Sequence, residues 1–136
     1  DFISGAVEWL SPDNADDHWD IIEGQGSIFH PSFAGVSLGL LHGSQPDKFI
    51  VCHEPTRTNM RGVENKLPNI SDVISKTTEL GKLTNPNIKC TGIALNTSNM
   101  KSGSDDLKKE ISDQYSVPCL DPLKDDLTDF IDLIKK

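Results

Sequence analysis

Glu23 ends a short apolar run and is followed by Gly24, Gln25 and Gly26, a pattern that could place a carboxylate beside a bound ligand. A carboxylate there can act as a general base or hold Mg²⁺ through water. Glycines let backbone N–H groups approach a ligand closely. His30, a little further on, is a second candidate acid or base. The alternatives are a Glu23 that only caps a neighbouring helix and a His30 that is hydrogen-bonded and structural.

A second polar group follows the next apolar run and contains His53, Glu54, Arg57 and Arg61. The planar guanidinium of arginine suits a carboxylate or a phosphate, although either arginine could also be a solvated loop charge. His53 and Glu54 are adjacent, so on an extended backbone their side chains point to opposite faces. We therefore expect one of the two to be structural and the group as a whole to bind substrate.

Asn96 and Thr97 follow a third apolar run, and Asp121 follows a fourth. The amide of Asn96 offers a paired donor and acceptor that could read a nucleotide base. Asparagine is also a common turn residue, so the two interpretations stay open at this point. We assign Asn96 and Thr97 to cofactor binding.

These residues must be positioned by elements that the apolar pattern predicts. Four short apolar runs alternate with segments of helical period, which is typical of an α/β fold with a parallel sheet and flanking helices. The predicted strands are Trp19–Ile22, Phe49–Cys52, Ile88–Leu95 and Val117–Leu120, and the predicted helices lie near residues 2–10, 33–42, 71–81, 104–115 and 123–134. Ligands bind beyond the carboxyl ends of such strands, so we expect the polar groups to converge at one rim with Glu23 in its middle.

Composition narrows the function classes. The chain has 136 residues and a net charge of -8, and its 13 Lys and Arg residues are scattered, which argues against a nucleic-acid partner. No apolar run is long enough to span a bilayer, and no CxxC or HxxxH spacing indicates a metal site. We interpret Cys52, Cys90 and Cys119 as buried thiols in a reducing compartment. The sequence predicts a cytoplasmic, soluble domain that acts on a small molecule, with a homo-oligomer left open.

The sequence contains no GxxxxGK[ST] motif, which a phosphate-binding loop of the P-loop type requires. It also begins without Met and in the middle of the pattern. We therefore expect residues 1–136 to be the C-terminal part of one P-loop NTPase-like domain whose first strand and phosphate loop lie upstream.

The order of strand, Glu-Gly-x-Gly, small-residue helix and strand resembles the dethiobiotin-synthetase-like branch of P-loop proteins. More specifically, the run His18–Pro31 together with His53–Arg57 resembles the D-glutamate N-acetyltransferase family, over nearly the whole chain. The resemblance implies a Rossmann-like N-terminal domain, absent here, and a P-loop-type C-terminal domain. It also implies transfer of an acetyl group from acetyl-CoA to the amine of D-glutamate. This sequence departs from the family pattern in one respect: it does not contain the family's Gly-Lys loop.

The resulting hypothesis gives each candidate a role. Glu23 or His30 deprotonates the substrate ammonium, and Arg57, with Arg61, pairs with a substrate carboxylate. The amides of Gly24 and Gly26 stabilise the oxyanion, and Asn96 lies near the adenine of acetyl-CoA. The alternative is an ATP- and Mg²⁺-dependent enzyme of the dethiobiotin-synthetase kind, in which Glu23 helps to bind the metal ion.

Overall fold

The computed structural model of the chain describes residues 2–24 and 26–136. These residues form an α/β structure, which confirms the predicted class. The elements, in order, are α1 (Phe2–Leu10), α2 (Ala34–Ser44), β1 (Lys48–His53), α3 (Ile70–Gly81), β2 (Lys89–Leu95), α4 (Ser104–Tyr115), β3 (Cys119–Leu120) and α5 (Thr128–Ile134). The chain divides into two compact units, one of residues up to 47 with 76–88, and one of residues 48–75 with 89–136.

The second unit contains the sheet. Its three strands are parallel and stand in the order β1-β2-β3, with His53 opposite Leu95 and Ala94 opposite Leu120. Because the strands are parallel, their carboxyl ends meet at one edge. The buried core consists of Val51, Ile70, Ile93, Leu95 and Ile111, with partly buried apolar side chains packed around it. The parallel sheet, predicted from the alternation of apolar runs and helical segments, is confirmed.

Helices of this unit begin where local sequence signals place them. The Asn69 side chain accepts a hydrogen bond from the Asp72 backbone N–H at 2.7 Å, which caps the first turn of α3. In α4, Ile111 is buried in the core and Leu107 packs against it, as helical spacing predicts. Pro118 directly precedes the edge strand β3, a position where its missing N–H does no harm.

The first unit contains α1 and α2, which pack closely through glycine. A Cβ at Gly43 would overlap the Ser4 carbonyl oxygen and stand 2.7 Å from the Val7 Cβ. Only glycine therefore fits at this contact. The imidazole Nε2 of His42 lies 2.9 Å from the Leu80 carbonyl oxygen within the same unit, so this histidine has a structural role.

Three expectations are corrected by the structure. Trp19–Ile22 is not a strand: the segment is irregular and Ile21 is 95% exposed, because an apolar run becomes a strand only beside another strand. Leu123 belongs to a turn and is exposed, since the last helix begins at Thr128. Cys52 is exposed and the other two cysteines are half-buried, although none of the three forms a disulfide.

No helix in the part of the chain that the structure describes is both long and apolar enough to cross a membrane.

Candidate functional site

Glu54 organises the carboxyl edge of the sheet after β1. Its Oε2 pairs with an Arg57 guanidinium nitrogen at 2.8 Å. Its Oε1 accepts hydrogen bonds from the Thr56 hydroxyl at 2.6 Å and from the Asn99 amide at 3.0 Å. Asn99 lies in the loop after β2, so one carboxylate ties the first two loops of the edge together. The structure thus brings together Glu54 and Arg57, two of the candidate substrate-binding residues.

The ionisation states at this edge follow from these contacts. The hydrogen bonds from Thr56 and Asn99, and then the Arg57 guanidinium, hold the pKa of Glu54 below its ordinary value. Partial burial lowers the pKa of His53, while the nearby Glu54 carboxylate raises it by a smaller amount. At neutral pH we therefore expect Glu54 to be ionised and His53 to be neutral.

The loop after β2 begins with Asn96 and Thr97, whose side chains differ in exposure. Asn96 is exposed, and its Oδ1 accepts a hydrogen bond from the Ser98 backbone N–H at 3.1 Å. Its backbone N–H donates to the His53 carbonyl at 2.9 Å, which continues the ladder between the strands. Thr97 is fully buried. Asn96 therefore presents its amide nitrogen at the surface of this edge, while Thr97 fixes the loop from beneath.

Asp121 holds the loop after β2 against the loop after β3. The Thr97 hydroxyl and backbone N–H both donate to its Oδ2, the latter at 3.2 Å, and the Leu123 N–H donates to its Oδ1 at 3.0 Å. The carboxylate is fully buried. The Thr97 hydroxyl is the largest of the contacts that lower the pKa of Asp121 to about 2, against a smaller opposing effect of burial. It is therefore an ionised carboxylate that fastens two loops.

Two lysines complete this network, and spacing in the sequence does not reveal them. Lys124 donates a hydrogen bond to the Thr97 hydroxyl oxygen at 2.6 Å. Lys108 pairs with Asp125 at 2.7 Å and with Asp105 at 2.9 Å, and Asp125 accepts the Asp121 backbone N–H at 2.7 Å. Only the position of Asp121 at a strand end pointed toward this cluster, because its partners come from a helix and a turn.

The remaining candidates of the second unit lie in the loop after β1. Arg57 is half-exposed and Arg61 is exposed. The loop is ordered by main-chain hydrogen bonds: Met60 N–H donates to the Asn65 carbonyl at 2.8 Å, and Leu67 N–H donates to the Thr58 carbonyl at 3.0 Å. The long loop is therefore a folded element that can present its cations in fixed positions.

Glu23 and His30 belong to the first unit. Glu23 and Gly24 are exposed. Gly26 has a φ of 62°, and a Cβ there would stand 3.0 Å from the Phe33 side chain, so glycine is needed for the backbone itself. Gln25 lies outside the described residues.

His30 is buried where α2 begins. Its Nδ1 accepts a hydrogen bond from the Ser32 N–H at 3.1 Å, and its ring packs at a tilt against the Phe33 ring, with the centroids 4.5 Å apart. The neutral ring with this bond carries its proton on Nε2. Its backbone carbonyl accepts the Ala34 N–H at 2.8 Å. These contacts give His30 a structural role at the start of the helix, whatever its role in chemistry.

A metal centre would need several ligands close together. Across residues 2–24 and 26–136, no group of three or more His, Cys, Asp and Glu side chains is arranged to hold a metal ion.

Comparison with known proteins identifies the family. Residues 1–131 match the family described as a domain of unknown function, the DUF1611 C-terminal P-loop domain. A protein named D-glutamate N-acetyltransferase from a Pseudoalteromonas species is 52% identical over 127 residues, which are 92% of this chain and 38% of that protein. A protein of the same name from Tritonibacter scottomollicae is 43% identical over 128 residues, 91% of this chain and again 38% of the relative.

A solved structure shows the same fold. The crystal structure of a DUF1611 family protein from Anabaena variabilis superimposes with a TM-score of 0.80 at 26% identity, covering 96% of this chain and 39% of the other. The chain therefore spans less than two-fifths of the length of each of these relatives. With the family match over residues 1–131, these likenesses show that the chain belongs to the DUF1611 family and corresponds to its C-terminal P-loop domain.

Proposed function

We propose that the full-length protein transfers an acetyl group from acetyl-CoA to the amine of D-glutamate, and that this chain binds parts of both substrates. Two relatives named D-glutamate N-acetyltransferase match more than nine-tenths of the chain, at 52% and 43% identity. The observation in the structure that best supports this function is the Arg57 guanidinium, which Glu54 orients at the carboxyl edge of the sheet.

Arg57 has the properties of a carboxylate-binding residue. A guanidinium has five N–H donors, and Glu54 is the side-chain partner that the described residues provide at hydrogen-bond distance. The side chain of Arg57 is 49% exposed, so its other donors can reach a ligand. Glu54 fixes the fork in advance, which lowers the entropic cost of binding a substrate carboxylate. D-Glutamate carries two carboxylates, and Arg57, with Arg61, would bind one of them.

Asn96 is the proposed contact for the adenine of acetyl-CoA. Its Oδ1 is engaged by the Ser98 N–H, so the amide nitrogen is the group that remains to donate to a ring nitrogen. Thr97 and Asp121 hold the backbone of this loop from below. A fixed loop with an exposed amide suits recognition of a base edge.

The chemical step requires a base, which we assign to Glu23 or to His30; His30 can take this role once its Nδ1 gives up the Ser32 N–H. The base removes a proton from the substrate ammonium, and the free amine attacks the thioester carbonyl. The new C–N bond forms, the C–S bond breaks, and the thiolate of coenzyme A takes a proton. Gly24 and Gly26 remain our candidates for backbone N–H groups that stabilise the oxyanion.

Assays of full-length protein test this function directly. We expect acetyl-CoA and D-glutamate to be consumed together without ATP or Mg²⁺, and acetyl-CoA to raise the melting temperature. ATP hydrolysis with no use of acetyl-CoA would instead support the dethiobiotin-synthetase-like alternative. We also propose that the full-length acetyltransferase acts in the cytoplasm, which cell fractionation can check.

Arg57→Lys tests the residue that supports the proposal. Lysine keeps the charge but loses the planar fork, and a hydrogen bond to a charged group contributes about 1.5–3 kcal/mol. We therefore expect KM for D-glutamate to rise about 10-fold or more, with little change in kcat and in KM for acetyl-CoA. A parallel rise in both KM values would show that Arg57 supports the edge generally instead of binding the amino acid.

A further inference from the structure

Lys124 presents an ammonium group at the carboxyl edge with hydrogen-bonding capacity to spare. Its Nζ donates to the Thr97 hydroxyl oxygen at 2.6 Å, and its next partner, the Asp121 Oδ2, lies 3.7 Å away, beyond hydrogen-bond distance. An ammonium has three donors, so within the described part of the chain one of them is used. The side chain is 50% exposed. The Lys124 side chain is therefore anchored through its ammonium to the Thr97 hydroxyl, while half of its surface faces solvent.

The charge of Lys124 has one carboxylate partner among the described residues, Asp121, at 3.7 Å. The Asp121 carboxylate also accepts hydrogen bonds from the Thr97 hydroxyl, the Thr97 N–H and the Leu123 N–H, and these lower its pKa more than the Lys124 charge does. Lys108 shows the opposite case: its side chain is 14% exposed and forms close ion pairs with two aspartates, Asp105 and Asp125. Of these two lysines, Lys124 is the one that can bind an anion from solution.

Position decides which anion fits. Lys124 binds the side chain of Thr97, the residue that directly follows the proposed base-reading Asn96. In coenzyme A the 3′-phosphate is attached to the ribose that carries the adenine. A cation that binds this phosphate must therefore lie near the residue that binds the base. We propose that Lys124 binds the 3′-phosphate of the coenzyme A moiety and so favours coenzyme A over nucleotides that lack this group. The inference rests on the proposed use of acetyl-CoA.

Asn96 alone could not provide this selectivity, because ATP and coenzyme A contain the same adenine. The net charge of -8 also repels an anionic ligand, so binding must rely on local cations. An ammonium anchored by a neutral hydroxyl can pair with a phosphate without first breaking a close ion pair. The structure gives Lys124 this arrangement.

The test compares two ligands across matched variants of the full-length protein. Calorimetry measures Kd for coenzyme A and for 3′-dephospho-coenzyme A with wild type, Lys124→Met, Lys124→Arg and Lys109→Met. Lys109 is an exposed lysine of α4 paired with Asp113, which makes its variant a control for the loss of one positive charge. Circular dichroism checks that each variant is folded.

We expect wild type to bind coenzyme A about 10-fold or more tightly than the dephospho form, the factor that corresponds to one charged hydrogen bond. Lys124→Met should lose this preference by weakening the binding of coenzyme A alone, and Lys124→Arg and Lys109→Met should keep it. The inference is wrong if Lys124→Met weakens both ligands equally, if it changes neither, or if wild type shows no preference. Wild type that binds neither ligand would refute the proposed function, and this inference with it.

A second lysine, Lys101, must be tested as an alternative partner of the 3′-phosphate. Lys101 is exposed in the same loop as Thr97. If Lys101→Met abolishes the preference and Lys124→Met does not, the 3′-phosphate site belongs to Lys101 and the assignment to Lys124 fails.

Discussion

Thr97→Val removes a single hydroxyl group from the centre of the carboxyl edge while keeping the branched carbon frame. That hydroxyl donates to the Asp121 Oδ2 and accepts a hydrogen bond from the Lys124 Nζ at 2.6 Å. The side chain of Thr97 is fully buried, so water cannot replace the lost partner without rearrangement. The substitution therefore separates the hydroxyl from the packing that surrounds it.

The expected loss follows from the chemistry of the contact. A hydrogen bond from a buried hydroxyl to a charged acceptor contributes about 1.5–3 kcal/mol to the free energy of unfolding. Thr97→Ser, the matched control, keeps the hydroxyl and loses one buried methyl group, at a cost of about 1 kcal/mol. Native-state hydrogen exchange of the β2 amides measures both values in the unit that contains Thr97. We expect valine to be the more destabilising of the two.

The pH dependence adds an independent check. Asp121 has a pKa of about 2 in the folded chain, below its ordinary 3.8, so the stability it contributes is fully present above about pH 4 and is lost as the pH falls through about 2. The largest contact that lowers this pKa is the Thr97 hydroxyl. In Thr97→Val the pKa of Asp121 should therefore rise. The difference in stability between wild type and variant should be constant from pH 5 to 8 and shrink below about pH 4.

Equal effects of valine and serine would refute the reasoning, because they would show that packing, and not the hydroxyl, stabilises this position. A difference that persists unchanged to pH 2 would equally show that the Asp121 carboxylate is not the partner that matters.

Two further predictions concern the thiols and the contact between α1 and α2. Cys52 is exposed, whereas burial raises the pKa of Cys119 to about 11, so iodoacetamide at pH 8 should label Cys52 first; mass spectrometry that finds Cys119 labelled as fast would contradict this. Gly43→Ala should cost about 1–3 kcal/mol in urea unfolding, because a Cβ there overlaps the Ser4 carbonyl. Gly35→Ala, with nothing within 4 Å of its Cβ, should be neutral or stabilising by up to about 1 kcal/mol, and a similar loss in both variants would point to a general effect on α2.

Local patterns were sufficient for the elements that carry their own signals. The apolar spacing of α3 and α4 and the cap at Asn69 are encoded within a few residues, and the structure contains both helices. The strand expected at Trp19–Ile22 shows where this logic stops. A strand is stabilised by hydrogen bonds to a neighbour, and no apolar run encodes whether the neighbour is present. In the described part of the chain the segment has none, and its side chains are exposed.

The candidate site also contains residues that the sequence indicates and residues that it does not. Placing polar residues after parallel strands drew attention to the loop after β1, where the structure pairs Glu54 with Arg57. It could not find Lys108 or Lys124, because these lysines reach the edge from α4 and from the turn after β3. Lys108 contacts Asp125 across 17 residues of sequence and Lys124 contacts Thr97 across 27, and no short motif links such pairs. The roles assigned to Glu23 and His30 stay predictions that mutation must test.

The loop after β1 and the loop after β2 are linked by one carboxylate. Glu54 orients Arg57 through Oε2, and through Oε1 it holds the Asn99 amide of the loop that begins at Asn96. A substrate carboxylate that shares the Arg57 guanidinium with Glu54 would change the charge that Asn99 experiences, so the two loops cannot respond independently. Glu54→Gln would break this connection while leaving both loops in place, because glutamine retains one acceptor oxygen and loses the charge. In the proposed function, the affinity for D-glutamate should therefore depend on bound coenzyme A in wild type and become independent of it in Glu54→Gln.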